Sequence, residues 1–175
     1  GLGDVYKRQY VDKAREQGAK ILTGGRAATS EDTNGQHGTG TTDLGAGVYY
    51  LPTIIDGATR EMDCVHDEAF GPTVTVETFT TEEEAIAIAN DTEYGLAGAV
   101  YTSEAGRAER VARALRHGTI WINDFHPYLP QAEWGGYKQS GNGRELGPTG
   151  LAEYQEHKHV YQNLSPAAWD QFGMQ

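Results

Sequence analysis

"TVTVETFTTEEEAIAIANDTEYGLAGAVYTSEAGRAERVARALRHGTIWIN" (residues 73–123) alternates strand and helix patterns. Alternating β-branched residues predict a strand over 73–79, and 95–102 and 119–123 have the composition of further strands. Helix patterns with short connections separate the three strands. This order is typical of a parallel βαβαβ sheet, so the sequence predicts an α/β fold.

The two helices of this region have recognisable ends. Thr81 and Glu84 have the spacing of a capping box, directly before a helix with one apolar face. The second helix, predicted over 104–118, is amphipathic and closed by Gly118.

The preceding part of the chain is less regular. Residues 10–18 are typical of the end of a helix closed by glycine, and 19–25 of a short strand and turn. Gly, Thr, Ser, Asp and Asn dominate 26–47, which predicts a long flexible loop. Strand composition returns in 48–55, where Pro52 fits a sheet edge or a strand start.

Composition excludes several classes of protein. The chain has 175 residues, 38% of them hydrophobic, and a formal net charge of −11. Nucleic-acid binding needs a basic face that this acidic chain lacks, and no apolar run is long enough to cross a membrane. A single cysteine cannot form an internal disulfide. We therefore expect a cytoplasmic protein that binds neither nucleic acid nor a membrane.

The first residues require a separate interpretation. Residues 4–9, "DVYKRQ", resemble a read-through of a transposase sequencing adapter, and the chain has no initiating Met. The alternative is a short polar helix start leading into Tyr10. We favour the adapter and expect residues 1–9 to be non-native, in which case the chain is a fragment.

Standard catalytic motifs are absent from the sequence. There is no complete G-x-G-x-x-G, no Walker loop, no H-E-x-x-H and no G-x-S-x-G. His157 and His159 are two residues apart, but no third ligand accompanies them. We therefore expect no metal site.

Three stretches together resemble the C-terminal part of the aldehyde dehydrogenase superfamily. They are "DEAFGPTVTVETF" (67–79), "NDTEYGLAGAVYTSE" (90–104) and "WGGYKQSGNGRELGPTGLAEYQEHKHV" (134–160). The resemblance extends from Val11 to Leu164, and the segment 122–141 is most similar to the bacterial betaine-aldehyde branch of the family.

The resemblance implies an NAD- or NADP-dependent oxidation of an aldehyde, betaine aldehyde in that branch, to a carboxylate. Family enzymes form a thiohemiacetal on a cysteine, transfer hydride to the nicotinamide and hydrolyse the resulting thioester. The family's nucleophile, general-base glutamate and Gly-rich dinucleotide site all lie upstream of the segments matched here. We therefore expect this chain to be inactive alone.

The resemblance also divides the chain. Residues 10–152 correspond to the late part of the catalytic domain. Residues 153–164 correspond to a strand that joins a sheet of an identical subunit in a dimer or tetramer, and 165–175 form a tail.

Cys64, the only cysteine, matches no nucleophile position of the family. We expect it in a strand before the Phe-Gly-Pro sequence. The acidic neighbours Asp63, Asp67 and Glu68 should raise its pKa rather than lower it. Cys64 is therefore not predicted to be the nucleophile.

Glu68 and Phe70 match family positions that contact the nicotinamide ribose. A carboxylate can accept hydrogen bonds from both hydroxyls of a diol, and an apolar ring beside them limits how the ribose sits. The alternative is a solvated glutamate and a core phenylalanine.

Trp134 matches a tryptophan that, in the betaine-aldehyde branch, contacts the trimethylammonium group of the substrate. Tryptophan binds a permanent cation over its ring face better than other side chains do. His126 and Tyr128 match the mouth of the substrate channel. The alternative for Trp134 is plain packing beside Gly135 and Gly136.

Glu145 matches a glutamate thought to relay protons toward the catalytic base, although a structural role is equally compatible with the sequence. Arg144 and Glu156 are expected to be structural, as a pair or at the subunit interface.

A second interpretation of the whole chain is a non-enzymatic α/β module that binds a partner subunit or a small cation without chemistry.

Overall fold

The structure, a computed structural model, describes residues 2–32 and 43–164, with side chains from residue 6 onward. The chain divides into two compact units, of which the first ends at Ile88 and the second begins at Ala89. Each unit contains parallel strands together with helices, so the predicted α/β class is confirmed.

The first unit is a three-stranded sheet with helices. Strand β2 lies in the centre, antiparallel to β1 and parallel to β3. The elements, in chain order, are α1 (Leu2–Glu16), β1 (Lys20–Thr23), a 3₁₀ turn (Leu44–Ala46), β2 (Thr53–Asp56), α2 (Asp63–His66) and β3 (Thr73–Val76), followed by α3 (Glu82–Asn90), which ends in the second unit.

Helix α1 packs on this sheet and builds the core of the first unit. Val11 and Ala14 are completely buried, and Ile55 on β2 is 2% exposed beside them. The helix ends as predicted, because Gly18 has φ 102° and its N–H donates to the carbonyl of Arg15. The helix extends back to Leu2, through the segment for which a non-native origin stays a prediction.

The buried Thr53 closes the start of β2. Its hydroxyl accepts from the N–H of Gly25 at 2.7 Å and donates to the carbonyl of Leu51 at 2.8 Å. Strand β2 begins directly after Pro52, which is one of the two positions expected for this proline, and it is shorter at its start than the expected 48–55. A Cβ on Gly24, which has φ 68°, would lie 2.1 Å from the carbonyl oxygen of Pro52, so this turn requires glycine.

The second unit contains the second half of the predicted βαβαβ pattern. Strands β4 (Ala97–Val100) and β5 (Thr119–Ile122) are parallel, and α4 (Ala105–Ala114) connects them. A 3₁₀ turn (Lys138–Ser140) and α5 (Gly147–Ala152) follow. In the first unit, the predicted cap before α3 forms in part: the N–H of Glu84 donates to Thr81 Oγ1 at 3.2 Å, whereas Glu84 Oε2 accepts from the N–H of Thr80, not of Thr81, at 2.7 Å.

One expectation needs correction. The strands that we expected in a single run are divided between two sheets, because β3 pairs with β2 whereas β4 pairs with β5.

Residues 153–164 are exposed along their whole length and pair with no strand in the described part of the chain. An extended segment is a strand only when it has a neighbour to pair with, so pairing with a sheet of another subunit stays a prediction.

The predicted loop 26–47 is described only in part, because 33–42 lie outside the described residues. Its first part is ordered by an ion pair in which the Arg26 guanidinium donates to both carboxylate oxygens of Asp32 at 2.7 Å. The Thr29 N–H and hydroxyl also donate to Asp32, at 2.8 and 3.0 Å. The flexible loop therefore stays a prediction for 33–42.

Gly95 holds together two of the segments that carry the family resemblance. Its carbonyl accepts from the N–H of Gly118 at 2.9 Å and from the N–H of Tyr137 at 2.8 Å. Its own N–H donates to Ser140 Oγ at 3.0 Å. A Cβ on Gly118 would lie 1.6 Å from the carbonyl oxygen of Gly135, so the two backbones pass at a distance that only glycine permits.

Changing Gly118 to alanine should therefore destabilise the protein. The added methyl meets a backbone oxygen that no rotamer change can move, so we expect a loss of about 3 kcal/mol in the free energy of unfolding. Gly143→Ala is the matched control, because a Cβ there would meet no atom within 4 Å, and its effect should stay within about 0.5 kcal/mol. Urea denaturation measures both, and equal stabilities would contradict the close approach.

Candidate functional site

Five aromatic side chains lie together at the carboxyl end of β5. The three predicted from the sequence are among them: the ring centroids of Tyr128 and Trp134 are 4.7 Å apart, those of His126 and Tyr128 are 5.1 Å apart and those of His126 and Trp134 are 6.3 Å apart. These distances are in the range of favourable ring contacts. We call the group the aromatic cluster; it consists of Trp121, Phe125, His126, Tyr128 and Trp134.

Trp121 and Phe125 belong to the cluster but were not predicted as site residues from the sequence. Trp121 is only 8% exposed, and its ring contacts the rings of Phe125 at 5.6 Å, His126 at 5.7 Å and Trp134 at 5.8 Å. It is therefore the base of the cluster. Strand alternation could have indicated this position, because Trp121 on β5 faces the opposite side from Ile120 and Ile122.

The outer rings of the cluster remain open to solvent. Phe125 is 69% exposed and Tyr128 is 50% exposed, whereas Trp134, which contacts Tyr128 and Trp121, is partly buried. The arrangement is a layer of π faces with one buried side and one open side. A π face carries negative partial charge, so such a layer can bind a cation that loses part of its water.

Backbone bonds hold the far end of the segment that carries these rings. Trp134 and Glu145 form an antiparallel bridge in which each N–H donates to the other residue's carbonyl at 2.7 Å. The N–H of Gly147 donates to the carbonyl of Pro130 at 2.9 Å, and the Thr149 hydroxyl donates to Glu133 Oε1 at 3.1 Å. The backbone N–H of Glu133 and the Thr149 hydroxyl hold the pKa of Glu133 below its usual value.

Glu145 is exposed and lines a groove of about 320 Å³ together with Trp134 and Arg144. Within the described ranges its carboxylate makes no hydrogen bond, so it is accessible from the groove. A proton-relay role for Glu145 stays a prediction, because the chain contains no partner for the relay among these residues.

Arg144 lines the same groove and binds its backbone. Its guanidinium donates to the carbonyl oxygens of Gly136 at 2.9 Å and Gly143 at 2.8 Å, and it lies 5.6 Å from the ring centroid of Tyr137. The structural role expected for Arg144 therefore has a physical basis. The pair with Glu156 does not form in the described part of the chain, because Glu156 lies in the exposed tail.

Glu68 and Phe70 lie in the loop between α2 and β3 of the first unit. The Glu68 side chain is exposed, and Phe70 is 86% exposed with φ 56°. Phe70 is therefore not part of the core within this chain. An aromatic residue with positive φ and an open ring is uncommon, and such conformations occur mostly where a surface has a function.

Cys64 lies in α2 and not in a strand, which corrects the prediction from the sequence. Four residues with an acidic start form a single helical turn here, too short for a periodicity to be recognised. The side chain packs against the core of the first unit. Burial raises the pKa of the Cys64 thiol, and the carboxylates of Asp63 and Glu77 raise it further, so its pKa moves away from that of an activated nucleophile.

Alkylation of Cys64 should reflect this raised pKa. Only the thiolate reacts with iodoacetamide, so the folded chain should react more slowly at neutral pH than the chain unfolded in urea. The midpoint of the rate against pH should lie higher in the folded chain. A folded midpoint below the unfolded one would identify Cys64 as activated and contradict its structural role.

No group of three or more His, Cys, Asp or Glu residues that could hold a metal ion occurs in residues 2–32 and 43–164. His157 and His159 lie in the exposed segment after α5. None of the helices in these ranges combines the length and the apolarity that a bilayer crossing requires.

Solved structures share this fold at high similarity. The betaine aldehyde dehydrogenase of Staphylococcus aureus in complex with NAD+ superposes with a TM-score of 0.88 at 46% identity, covering 99% of this chain and 32% of that chain. Solved variants of the S. aureus enzyme carry substitutions at three consecutive residues, a histidine, a proline and a tyrosine. That order occurs once here, in His126-Pro127-Tyr128.

Curated relatives show the same similarity. The betaine aldehyde dehydrogenase of Bacillus subtilis (strain 168) is 54% identical over 164 residues, which are 94% of this chain and 31% of that protein. The peroxisomal aminoaldehyde dehydrogenase 2 of Pisum sativum is 44% identical over 161 residues, 92% of this chain and 29% of that protein. The chain thus spans about a third of the length of its relatives. The profile of the Aldehyde dehydrogenase family matches residues 6–160, and the chain belongs to this family.

Proposed function

We propose that this chain is the late part of an enzyme that oxidises betaine aldehyde to glycine betaine with NAD+ or NADP+. The observation that carries the proposal is the aromatic cluster, with Trp121 buried below and partly exposed rings above. The similarity to betaine aldehyde dehydrogenases over 94% of the chain supports it.

The trimethylammonium group of betaine aldehyde suits this cluster. It has a permanent charge, no hydrogen-bond donor and an apolar outer surface of methyl groups. It therefore gains from ring faces both electrostatic attraction and burial, about 0.5–1 kcal/mol per ring at an exposed site and about 2 kcal/mol when desolvated. The tilted pair of Tyr128 and Trp134, with ring centroids 4.7 Å apart, provides two such faces. The net charge of −11 favours the approach of a cation further.

Glu68 and Phe70 are proposed to contact the cofactor. The exposed Glu68 carboxylate can accept hydrogen bonds from two ribose hydroxyls, and the open Phe70 ring offers an apolar surface beside it. The chemistry of these two side chains thus suits a nucleotide ribose. The bound nicotinamide would supply the hydride acceptor, and the chain's own contribution would be to orient it. The S. aureus relative was solved with NAD+, which supports this assignment.

The reaction requires groups that the described residues do not provide. Cys64 is packed in a core with a raised pKa and is unsuited to attack an aldehyde. We therefore propose that the nucleophile, the general base and the dinucleotide site belong to a longer protein, and that this chain alone has no aldehyde dehydrogenase activity. Glu145, exposed in its groove, is proposed to relay protons toward that base.

Residues 153–164 are proposed to pair with a sheet of an identical subunit. Tyr154 is 90% exposed and Leu164 is 84% exposed, which is costly for a segment that stays in water. Backbone groups of an unpaired extended segment can add to a sheet edge. Glu156 would then lie at the subunit interface, and Arg144 would have a structural role within its own subunit. A cytoplasmic location is proposed on the composition of the chain.

A non-enzymatic binding module is the weaker interpretation, because the family profile covers 6–160 and the relatives named above are dehydrogenases. The dehydrogenase interpretation requires a cation site, so the aromatic cluster is the part to test first.

Trp134→Leu tests the proposed cation site. Leucine keeps an apolar side chain but removes the π face, so the affinity for choline should fall about two- to fivefold more than the affinity for 3,3-dimethylbutanol, its uncharged isostere. Ligand-induced NMR shifts measure both dissociation constants. Tyr101→Leu is the matched control, since Tyr101 is an exposed ring outside the cluster, and it should leave the ratio of the two affinities unchanged. Equal losses for both ligands in Trp134→Leu would contradict the cation site.

A further inference from the structure

We propose that Asn123 is a positioning residue, which holds the aromatic cluster in its cation-binding arrangement. This inference rests on the proposed function, since it concerns how the same site is kept in shape. Asn123 is not among the site residues predicted from the sequence, and we do not propose that it contacts a ligand. Its effect would act through the segment that it starts, which carries Phe125, His126 and Tyr128.

The Asn123 side chain clamps the end of the neighbouring strand. Its Oδ1 accepts from the N–H of Thr102 at 2.8 Å, and its Nδ2 donates to the carbonyl of Thr102 at 2.9 Å. Its backbone N–H donates to the carbonyl of Val100 at 2.9 Å. Three hydrogen bonds from one residue thus join the carboxyl ends of β4 and β5. In parallel sheets this is the end at which ligands bind.

Asn123 also starts the turn that folds the rings back. It has φ 54°, a left-handed conformation that asparagine tolerates better than other residues with a Cβ. His126 has φ 69°, so the chain adopts this conformation twice within four residues. As a result the rings of Phe125 and His126 lie over Trp121, which precedes the turn. A change in direction at Asn123 would move both rings away from that base.

The clamp is needed because little else holds the start of this segment. The Phe125 N–H donates only to the neighbouring Asp124 carboxylate at 2.7 Å, and the Phe125 ring is largely exposed. The anchors formed by Pro130, Glu133 and Trp134 act at the other end. Each ring contact is weak on its own, and ordering each backbone residue costs conformational entropy, so the clamp adds to the ring contacts in holding the turn.

Asn90 provides a matched control in the same unit. Its Nδ2 donates to the carbonyl of Ala114 at 2.9 Å and its Oδ1 accepts from the N–H of Arg116 at 2.7 Å. The chemistry is the same as for Asn123, two bonds from one amide to one backbone segment. The Asn90 clamp, however, closes the end of α4, before β5 begins, and not the end at which the rings lie.

The test compares Asn123→Gly with Asn90→Gly in the whole chain. Glycine removes each clamp, and at residue 123 it still permits a positive φ, so the variant isolates the clamp from the backbone conformation. Three measurements are made on each variant: urea unfolding, NOEs between the Trp121 and His126 rings without ligand, and the affinities for choline and 3,3-dimethylbutanol.

Asn123→Gly should lose the Trp121–His126 NOE and bind choline about fivefold more weakly than Asn90→Gly, at a similar loss of stability. Asn90→Gly should keep the NOE. Retention of the NOE in Asn123→Gly, or an equal fall of choline affinity in both variants, would overturn the proposal. Asn123→Ser, which keeps a short acceptor toward Thr102, should show the same changes at smaller size if the glycine variant does not fold.

The two proposals fail in different ways. If the unchanged chain binds choline no better than its uncharged isostere, the proposed function is wrong. The NOE between Trp121 and His126 then still decides the role of Asn123, since it is measured without ligand: its loss in Asn123→Gly supports positioning, and its retention excludes it.

Discussion

The backbone of Gly95 is the point on which the second unit depends. Its carbonyl and N–H bind two segments that are distant in sequence, one through Gly118 and the other through Tyr137 and Ser140. Buried backbone groups must find partners, so these bonds determine how the segment after β5 returns to the sheet. The close approach of Gly118 to Gly135 follows from the same arrangement. The glycines and the serine shared with the family are therefore explained by packing before any catalytic role is considered.

The aromatic cluster lies on the segment that this junction returns to the sheet. A protein that needed only stability would bury Phe125 or replace it, because an exposed ring gains little from the hydrophobic effect. Here one ring, Trp121, is buried, whereas Phe125 and Tyr128 stay open. Backbone bonds hold one end of the segment through Trp134, and the Asn123 amide holds the other. This is the arrangement expected of a surface that is prepared for a ligand in advance.

Much of the second unit could be predicted from the sequence, because its signals are local. The strand at 119–122 and the helix at 105–114 follow from periodicity and end residues within a few positions, and so does the cap at Thr81 in the first unit. The partner of β3 could not be predicted, since strand pairing depends on residues far away in the chain. The same holds for residues 153–164, whose proposed partner is another subunit.

The site was predicted in part for related reasons. Trp134, Tyr128 and His126 were found through the family resemblance, and the structure brings them together. Trp121 and Phe125 are not among the positions matched to the family, and strand alternation alone marks Trp121 only as a core residue. The role of Asn123 depends on a bond to Thr102, twenty-one residues earlier in the chain, which no local pattern indicates.

The most direct test of the central claim is a measurement of where a trimethylammonium group binds. Choline is added to the isotopically labelled chain, and intermolecular NOEs are recorded between its methyl protons and the aromatic side chains. The cation site predicts cross-peaks to the rings of Trp134 and Tyr128 together. Cross-peaks to rings outside the aromatic cluster, or none at a concentration that saturates the shift changes, would contradict it.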